Sequence, residues 1–225
     1  VVAEFEKKFS EKFDYKYSVM TNSGTSALHL AYILAEIKAG DEVIVPVLTC
    51  TATCHPLKAM GAKIVFADVR RDSLAFDPQS VIKKITHNTR AIVFVHLGGY
   101  LRGNDVFQVT SHCFDKKLDI AFIEDACQAL GHPYAGISGG YTCFSFQAIK
   151  SLSTGDGGML VINGIDVKAP YDYSRAKKLR WFSIDREAKA EKNWQAWDRR
   201  GITFDQDEVG YKYQMTDVAA AMGIA

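Results

Sequence analysis

The sequence of 225 residues predicts an α/β fold with a mostly parallel central sheet and helices on both faces. Short apolar segments typical of buried strands alternate along the chain with segments of helical periodicity. Polar residues follow several of these strands directly, and in open parallel sheets ligands bind at the carboxyl ends of the strands. We therefore expect a ligand site where those polar residues meet.

The elements are predicted in chain order from periodicity and from start and stop signals. Helices are expected over 3–13, 21–38 and 51–60, after Asp77 and Pro78, over 104–117, after Asp125 and over 216–225. Strands are expected after the turn at Gly40 and Asp41, over 63–68, and in the apolar segments that begin at Ala91, Ile120 and Cys143. The last helix is apolar, and we expect the surface that it packs against to be missing from this chain.

Composition excludes several classes of protein. The formal net charge is +1 and the basic residues are scattered, so neither nucleic acid nor an anionic membrane is expected as a partner. No apolar run approaches the length of a membrane span, and no signal-peptide pattern opens the sequence. The five cysteines lack the paired spacing of a zinc site and indicate reduced thiols in a cytoplasmic protein without a metal centre.

A single lysine, Lys150, lies between an apolar strand and a turn rich in Ser, Thr and Gly within 143–159. Strand ends in α/β proteins are partly dry, and a desolvated ammonium loses its proton more easily than one in water. An amine at such a place can attack a carbonyl carbon and form a Schiff base. The alternative is a lysine at the rim of a strand with its ammonium in solvent.

Two further stretches carry polar groups where a ligand could bind. The segment 22–25, Asn-Ser-Gly-Thr, precedes a helix, so its small residues leave backbone N–H groups free for an anion; the alternative is an ordinary helix cap. Asp125 closes an apolar strand, where a carboxylate needs a positive partner such as a protonated heterocyclic nitrogen. Its alternative is the cap of a helix that starts at Ala126.

Three other polar residues have both a functional and a structural interpretation. Gln128 could present an amide donor and acceptor to the same ligand, or simply cover the strand end. Ser145 points to the face opposite Phe144 and Phe146 and could donate to a phosphate, or bond to backbone. His96 lies at the end of a strand. A histidine at such a position is more often a core residue whose ring is hydrogen-bonded within the protein than a catalytic one.

An anion site, an acidic strand end and a lysine are together what pyridoxal phosphate requires of a protein. The chain resembles the DegT/StrS-type sugar aminotransferases, a family of pyridoxal-phosphate enzymes of fold type I. The resemblance covers nearly the whole chain. It rests on six motifs in the order of the family: NSGTSAL at 22–28, DEVIVP at 41–46, GAKIVFADV at 61–69, IEDACQALG at 123–131, FSFQAIKSLSTGDGGML at 144–160 and GYKYQMTDVAAAMG at 210–223.

The resemblance implies a role for each matching residue. Lys150 would form the Schiff base with the cofactor and later move the proton between substrate and cofactor carbons. Asp125 would pair with the pyridine nitrogen and Gln128 would contact the ring hydroxyl. The phosphate would be held by Gly24, Thr25 and Ser145. The family works as a homodimer with sites at the interface, so the turn at 155–158 and the region of Tyr211 are expected to approach the partner's cofactor.

The sequence departs from the family pattern at several positions. Cys50 stands where the family usually has an aromatic residue that stacks on the ring, so stacking is lost here or is supplied by His55 or another side chain. Ile149 precedes the lysine where threonine is more common. Lys212 replaces an asparagine, and it either offers charge to a neighbouring phosphate or is a surface lysine.

The segment 174–214 loses periodicity and holds three tryptophans among many charges. Arg180, Trp181 and Arg186 are candidate contacts for a nucleotide diphosphate, because a guanidinium binds phosphate oxygens and an indole stacks on a base. The alternative is a solvated, partly helical excursion whose tryptophans pack locally.

From the resemblance we predict a large pyridoxal-phosphate-binding domain over 1–210, truncated at its N-terminus. Residues 211–225 would begin the connection to a small C-terminal domain that is largely missing. The predicted reaction moves an amino group from L-glutamate to a keto carbon of a nucleotide-linked deoxysugar, for polysaccharide, lipopolysaccharide or glycosylated-metabolite biosynthesis. One alternative is the sugar dehydratase branch of the same fold, which replaces the lysine with histidine; another is a non-catalytic regulator that keeps the fold.

Overall fold

A computed structural model of the chain describes residues 1–163, 168–186 and 208–225. The strands are β1 (Tyr17–Thr21), β2 (Glu42–Pro46), β3 (Lys63–Ala67), β4 (Thr89–Val95), β5 (Ala121–Asp125), β6 (Tyr141–Ser145) and β7 (Gly158–Ile162). The described helices are α1 (Val2–Phe13), α2 (Gly24–Leu34), α3 (Thr51–Ala59), α4 (Pro78–Lys83), α5 (Gly103–Asp115), α6 (Ala169–Leu179) and α7 (Asp217–Ile224).

The seven strands form one sheet in the order β1-β7-β6-β5-β4-β2-β3. Strands β6, β5, β4, β2 and β3 pair in parallel. Strand β7 runs antiparallel to both of its neighbours, β1 and β6. The predicted mostly parallel sheet is therefore confirmed, and its five parallel strands place their carboxyl ends at one edge.

Helices cover both faces of the sheet, as predicted. Successive side chains of a strand point to opposite faces, so apolar strands present apolar side chains to helices on each face. In β4, Val93 packs in the cluster that holds α2, α3 and α6. Its neighbour Phe94 packs with α4 and α5 on the other face. Helices α1 and α7 cover that second face beneath β6 and β7, where Phe144 is fully buried.

Two local expectations are corrected by the structure. The chain after Asp125 forms turns rather than a helix, since Gly131 adopts a left-handed φ of 80° and Pro133 follows two residues later. The final helix does have a partner surface: α7 packs on α1, with Ala220 buried and Gly223 against the ring of Phe5.

Within the described part of the chain, no helix has the length and apolar character needed to cross a membrane.

Candidate functional site

A cavity of about 340 Å³ opens at the carboxyl edge of the sheet, where β4, β5 and β6 end. All six residues that the sequence predicts to bind the cofactor line this cavity: Gly24, Thr25, Asp125, Gln128, Ser145 and Lys150. These residues come from three separate stretches of the chain, 24–25, 125–128 and 145–150. The parallel arrangement of β5 and β6 and the start of α2 beside them bring those stretches together.

The start of α2 provides a close-fitting anion site. A Cβ atom on Gly24 would lie 2.8 Å from Cys127 Sγ and 2.9 Å from Ser145 Cβ, so only glycine fits there. Ser23 caps the helix by accepting a hydrogen bond from the Ser26 N–H at 3.1 Å. No described residue accepts a hydrogen bond from the backbone N–H of Gly24 or Thr25. Both groups are available to an anion at the positive end of the helix.

Asp125 ends β5 with its side chain only 6% exposed. Its Oδ2 accepts a hydrogen bond of 2.6 Å from the Thr53 hydroxyl, and its Oδ1 accepts one of 3.2 Å from the Cys127 N–H. Burial raises the pKa of the Cys127 thiol well above its ordinary value, and the negative charge of Asp125 adds to this. Cys127 is therefore a protonated thiol and not a nucleophile.

Gln128 is held by the loop that follows β4. Its side-chain carbonyl oxygen accepts a hydrogen bond of 2.6 Å from the Gly98 N–H. Gly98 and Gly99 both adopt left-handed φ values, 65° and 76°. A Cβ on Gly99 would lie 2.7 Å from the backbone carbonyl oxygen of Gln128. The glycines thus let the loop approach Gln128 closely enough to fix its side chain.

Lys150 lies in a bend five residues beyond the end of β6, so it is not itself at a strand end as the sequence suggested. Its backbone N–H donates to the Gln147 carbonyl oxygen at 2.8 Å. The side chain is half-buried, and its ammonium forms no hydrogen bond or salt bridge with any described residue. The amine is thus placed in the cavity without a hydrogen-bond or salt-bridge partner among the described residues.

His96 also lines the cavity, but its ring is already engaged. Its Nε2 lies 2.9 Å from Glu124 Oε2, and both side chains are buried. Glu124 also accepts hydrogen bonds from the backbone N–H groups of Gly136 and Ser138. Burial alone would raise the pKa of Glu124, but the bonds from His96, Ser138 and Gly136 lower it below its ordinary value. The structural interpretation of His96 is the one that this geometry favours.

Cys50 lines the cavity as the exposed N-cap residue of α3. His55, the suggested substitute for a stacking ring, is exposed on α3 and does not line the cavity. Among the described residues of the lining, the imidazole of His96 is the only ring. The apolar contacts available to a flat ligand come instead from Ala52, Val95, Leu97 and Ile149.

The three candidate nucleotide contacts lie outside the cavity lining. Arg180 is 6% exposed, forms an ion pair with Glu6 and donates a hydrogen bond of 3.0 Å to the Met20 carbonyl oxygen. Its prediction as a substrate contact finds no support in this placement. Lys212 Nζ lies 3.1 Å from the centroid of the Trp181 indole, and the Arg186 guanidinium carbon lies 4.9 Å from it. Residues 187–207 of the same segment lie outside the described residues.

Sequence reasoning missed two residues that hold the site in place, Thr53 and Glu124. Thr53 is fully buried beside Asp125, although 72 residues separate them in the chain. A signal was present, since Thr49 and Thr53 are four residues apart just after β2, a spacing that allows the two hydroxyls to meet around the start of α3. Glu124 precedes Asp125 in the strand and points to the opposite face.

Known proteins with similar sequences give this site a context. The GDP-perosamine synthase of Escherichia coli O157:H7 is 34% identical over 228 residues, which span 100% of this chain and 56% of that protein. The spore coat polysaccharide biosynthesis protein SpsC of Bacillus subtilis is 34% identical over 231 residues, 99% of this chain and 55% of SpsC. The chain thus spans little more than half the length of the curated relatives it matches.

Solved structures show the same fold. AtS13 from Actinomadura melliaura superposes with a TM-score of 0.84 at 33% identity, over 99% of this chain and 58% of AtS13. The Spr1654 protein of Streptococcus pneumoniae in its PLP-form superposes with a TM-score of 0.82 at 28% identity, over 99% of this chain and 57% of Spr1654. Since the model of one family matches residues 1–225, the whole chain, the protein belongs to the DegT/DnrJ/EryC1/StrS aminotransferase family.

Proposed function

We propose that the complete protein is a pyridoxal-phosphate-dependent aminotransferase that moves an amino group from L-glutamate to a keto carbon of a nucleotide-linked deoxysugar. One observation carries this proposal. The amine of Lys150, the carboxylate of Asp125 and the N–H groups at the start of α2 converge on one cavity of about 340 Å³. Within the part of the chain that the structure describes, the amine and the N–H groups of Gly24 and Thr25 have no hydrogen-bond partner.

The residues present fit this cofactor. Gly24, Thr25 and Ser145 would hold its phosphate, because the missing side chain at position 24 leaves the backbone open and the Ser145 hydroxyl lies beside it. Asp125 would bind the ring nitrogen and Gln128 the ring hydroxyl. When bound, pyridoxal phosphate supplies an electron sink for chemistry at the carbon that bears the amino group.

Lys150 would carry out the proton transfers. Its amine would hold the cofactor covalently before substrate arrives, and once displaced it would act as base and then as acid toward the substrate carbon. A lysine that already formed a salt bridge would have to break that bridge first. Lys150 forms none with the described residues, so its amine is available for both roles.

Asp125 would keep a positive charge on the ring nitrogen. Its carboxylate is buried and fixed from two sides, by Thr53 and by the Cys127 N–H, so it cannot turn away from a ligand without losing a hydrogen bond. A charge interaction in such a dry place is stronger than one in water. This arrangement supports the role that the family resemblance implies for Asp125.

The sugar substrate is proposed from the relatives and from the aromatic and cationic cluster of Trp181, Arg186 and Lys212. GDP-perosamine synthase and SpsC are named for a nucleotide sugar product and for polysaccharide biosynthesis. An indole flanked by two cations could receive a nucleotide base and its phosphates. The product would be an amino sugar for a surface polysaccharide, lipopolysaccharide or glycosylated metabolite.

We also propose a cytoplasmic homodimer with its sites at the interface. Ile149 at the cavity is 83% exposed, and Val47 and Tyr100, in the loops after β2 and β4, are 56% and 50% exposed, which suits a covered surface. All five cysteines are free, which suits a reducing compartment. The division into a domain over 1–210 and a connection over 211–225 remains a prediction.

The two alternatives differ from this proposal at Lys150 and Cys50. A dehydratase of the same fold would have histidine in place of Lys150, so the lysine favours transamination. A non-catalytic regulator would retain the cofactor without turnover. Cys50 in the cavity lining offers no ring to stack on the cofactor, and this is the feature that favours the regulator.

The test is the visible absorbance of the complete protein after incubation with pyridoxal phosphate and desalting, read before and after L-glutamate is added. We expect a retained band that fades with L-glutamate. Lys150→Ala should keep the fold and abolish both the band and turnover, while Lys83→Ala, a change of an exposed lysine at the end of α4, should match wild type. A colourless wild-type protein, or near-normal turnover of Lys150→Ala, would contradict the proposal.

A further inference from the structure

A threonine from α3 supports the Asp125 carboxylate. Thr53 is fully buried, and its hydroxyl donates to Asp125 Oδ2 at 2.6 Å. The second oxygen, Oδ1, accepts the longer bond of 3.2 Å from the Cys127 N–H. Hydrogen bonds to a charged acceptor are shorter and stronger than neutral ones. The Thr53 contact has the length of a charge-assisted O–H···O⁻ bond and is the shorter of the two that fix the carboxylate.

Asp125 determines the direction of the hydrogen bond between Thr49 and Thr53. The two hydroxyl oxygens lie 2.7 Å apart, and each hydroxyl has a single proton to donate. The Thr53 proton is directed to Asp125, so the proton between the two threonines comes from Thr49. The result is a chain of hydrogen bonds in one direction, from Thr49 through Thr53 to Asp125.

The backbone of Thr53 is anchored as well. The Tyr32 hydroxyl of α2 donates to the Thr53 carbonyl oxygen at 2.8 Å, and Tyr32 is fully buried. Burial, and after it the negative charge of Asp125, raises the pKa of Tyr32 well above its ordinary value, so Tyr32 keeps the proton that it donates. Helix α3 therefore cannot move away from Asp125 without breaking a buried bond to α2.

We propose that Thr53 is a positioning residue for the transamination, because its hydroxyl holds the Asp125 carboxylate in the orientation that the cofactor's ring nitrogen requires. This inference rests on the proposed function. The Thr53 hydroxyl and the Cys127 N–H each fix one oxygen of Asp125, so the carboxylate is already oriented when a ligand enters the cavity.

Three variants of the complete protein test this role. Thr53→Val keeps the shape of the side chain and removes the donor, and Thr53→Ser keeps the donor. Thr51→Val makes the same change at an exposed position of α3 and serves as the control. For each variant we would measure the dissociation constant of pyridoxal phosphate, the pH midpoint of the bound cofactor's absorbance and the single-turnover rate with L-glutamate. Circular dichroism would check folding.

Thr53→Val is expected to raise the cofactor dissociation constant roughly 10-fold, to slow the half-reaction by about 10-fold or more, and to move the pH midpoint away from the wild-type value. Thr53→Ser should stay within about threefold of wild type and Thr51→Val should match it. If Thr53→Val fails to fold, Thr53→Ala carries the same expectations.

Wild-type values for the hydroxyl-free variant in all three measurements would overturn the positioning role. Equal impairment of Thr53→Val and Thr53→Ser would also overturn it, since the hydroxyl would then not be responsible, and so would equal impairment of Thr51→Val. A wild-type protein that releases the cofactor would contradict the proposed function itself, and with it this inference.

Discussion

The side-chain carbonyl oxygen of Gln128 accepts a hydrogen bond of 2.6 Å from the backbone N–H of Gly98. A side-chain amide has one carbonyl acceptor and one NH₂ donor group. The loop after β4 already holds the carbonyl oxygen, whereas the NH₂ group has no partner among the described residues and can donate to a ligand in the cavity. This orientation suits a cofactor that presents a hydroxyl oxygen as an acceptor.

Replacement of Gln128 by glutamate tests this orientation. Gln128→Glu keeps an acceptor for Gly98 but removes the donor and adds a negative charge to the cavity, so cofactor binding should weaken by roughly 10-fold or more. Titration of the visible absorbance with pyridoxal phosphate measures the effect. The same change at Gln108, exposed on α5, should leave binding unchanged. Binding by Gln128→Glu within twofold of wild type would show that the amide donor is not used.

A methyl group at position 24 should damage both the fold and the anion site. Gly24→Ala would place Cβ 2.8 Å from Cys127 Sγ and 2.9 Å from Ser145 Cβ. Overpacking of this kind costs roughly 1–3 kcal/mol of unfolding free energy, and the displaced Ser145 would weaken cofactor retention. Urea unfolding and absorbance after desalting measure the two effects. At Gly103 a Cβ would meet its nearest atom at 3.4 Å, so Gly103→Ala should be tolerated.

Removal of the Arg180 guanidinium should reduce stability. Its partner Glu6 is buried, so Arg180→Ala leaves a charge without its ion pair and should cost roughly 3–5 kcal/mol of unfolding free energy, measured in urea. Arg186→Ala removes only an exposed cation–π contact with Trp181 and should cost at most about 1 kcal/mol. Unchanged stability of Arg180→Ala with a raised KM for the sugar would restore Arg180 as a substrate contact.

The pH dependence of stability should contain a contribution from Glu124. Its pKa is lowered in the folded protein from an ordinary value of 4.5. A depressed pKa means that the unfolded chain binds the proton more readily, so this stabilisation is present above about pH 4.5 and is lost as the pH falls through the folded-state pKa. Unfolding free energies measured in urea at a series of acidic pH values should fall accordingly.

The variant Glu124→Gln removes this titration and places an NH₂ group against one of three donors, from His96, Gly136 and Ser138. We expect a loss of roughly 3–5 kcal/mol at neutral pH and a flatter dependence on acid. Glu11→Gln, a change at an exposed position of α1, should behave like wild type. An unchanged acid profile in Glu124→Gln would assign the pH dependence to other groups.

Much of the fold and of the cavity could be predicted because both depend on local pattern and on one topological rule. Apolar strands alternate with helices, and parallel strands bring their carboxyl ends to a common edge. Gly24, Asp125 and Ser145 each follow or end a strand, so the rule was enough to bring them together. The sequence motifs of the family added the assignment of each residue to a part of the cofactor.

The remaining features depend on contacts between residues that are distant in the chain. The Thr53 hydroxyl meets a carboxylate 72 residues away, and Arg180 pairs with Glu6 174 residues away. Neither pairing has a periodic signal. In a charged segment with several arginines, composition does not indicate which guanidinium becomes buried. Likewise, the turn after Asp125 replaces the expected helix because of Gly131 and Pro133, whose effect depends on the path of the backbone there.

The most direct test of the central claim is to reduce the complete protein with borohydride after incubation with pyridoxal phosphate, and then to locate the added mass by peptide mass spectrometry. The account predicts a cofactor mass on the peptide that contains Lys150, lost in Lys150→Ala and lost when L-glutamate is added before reduction. A protein that gains no mass, or gains it on another lysine, would contradict the account.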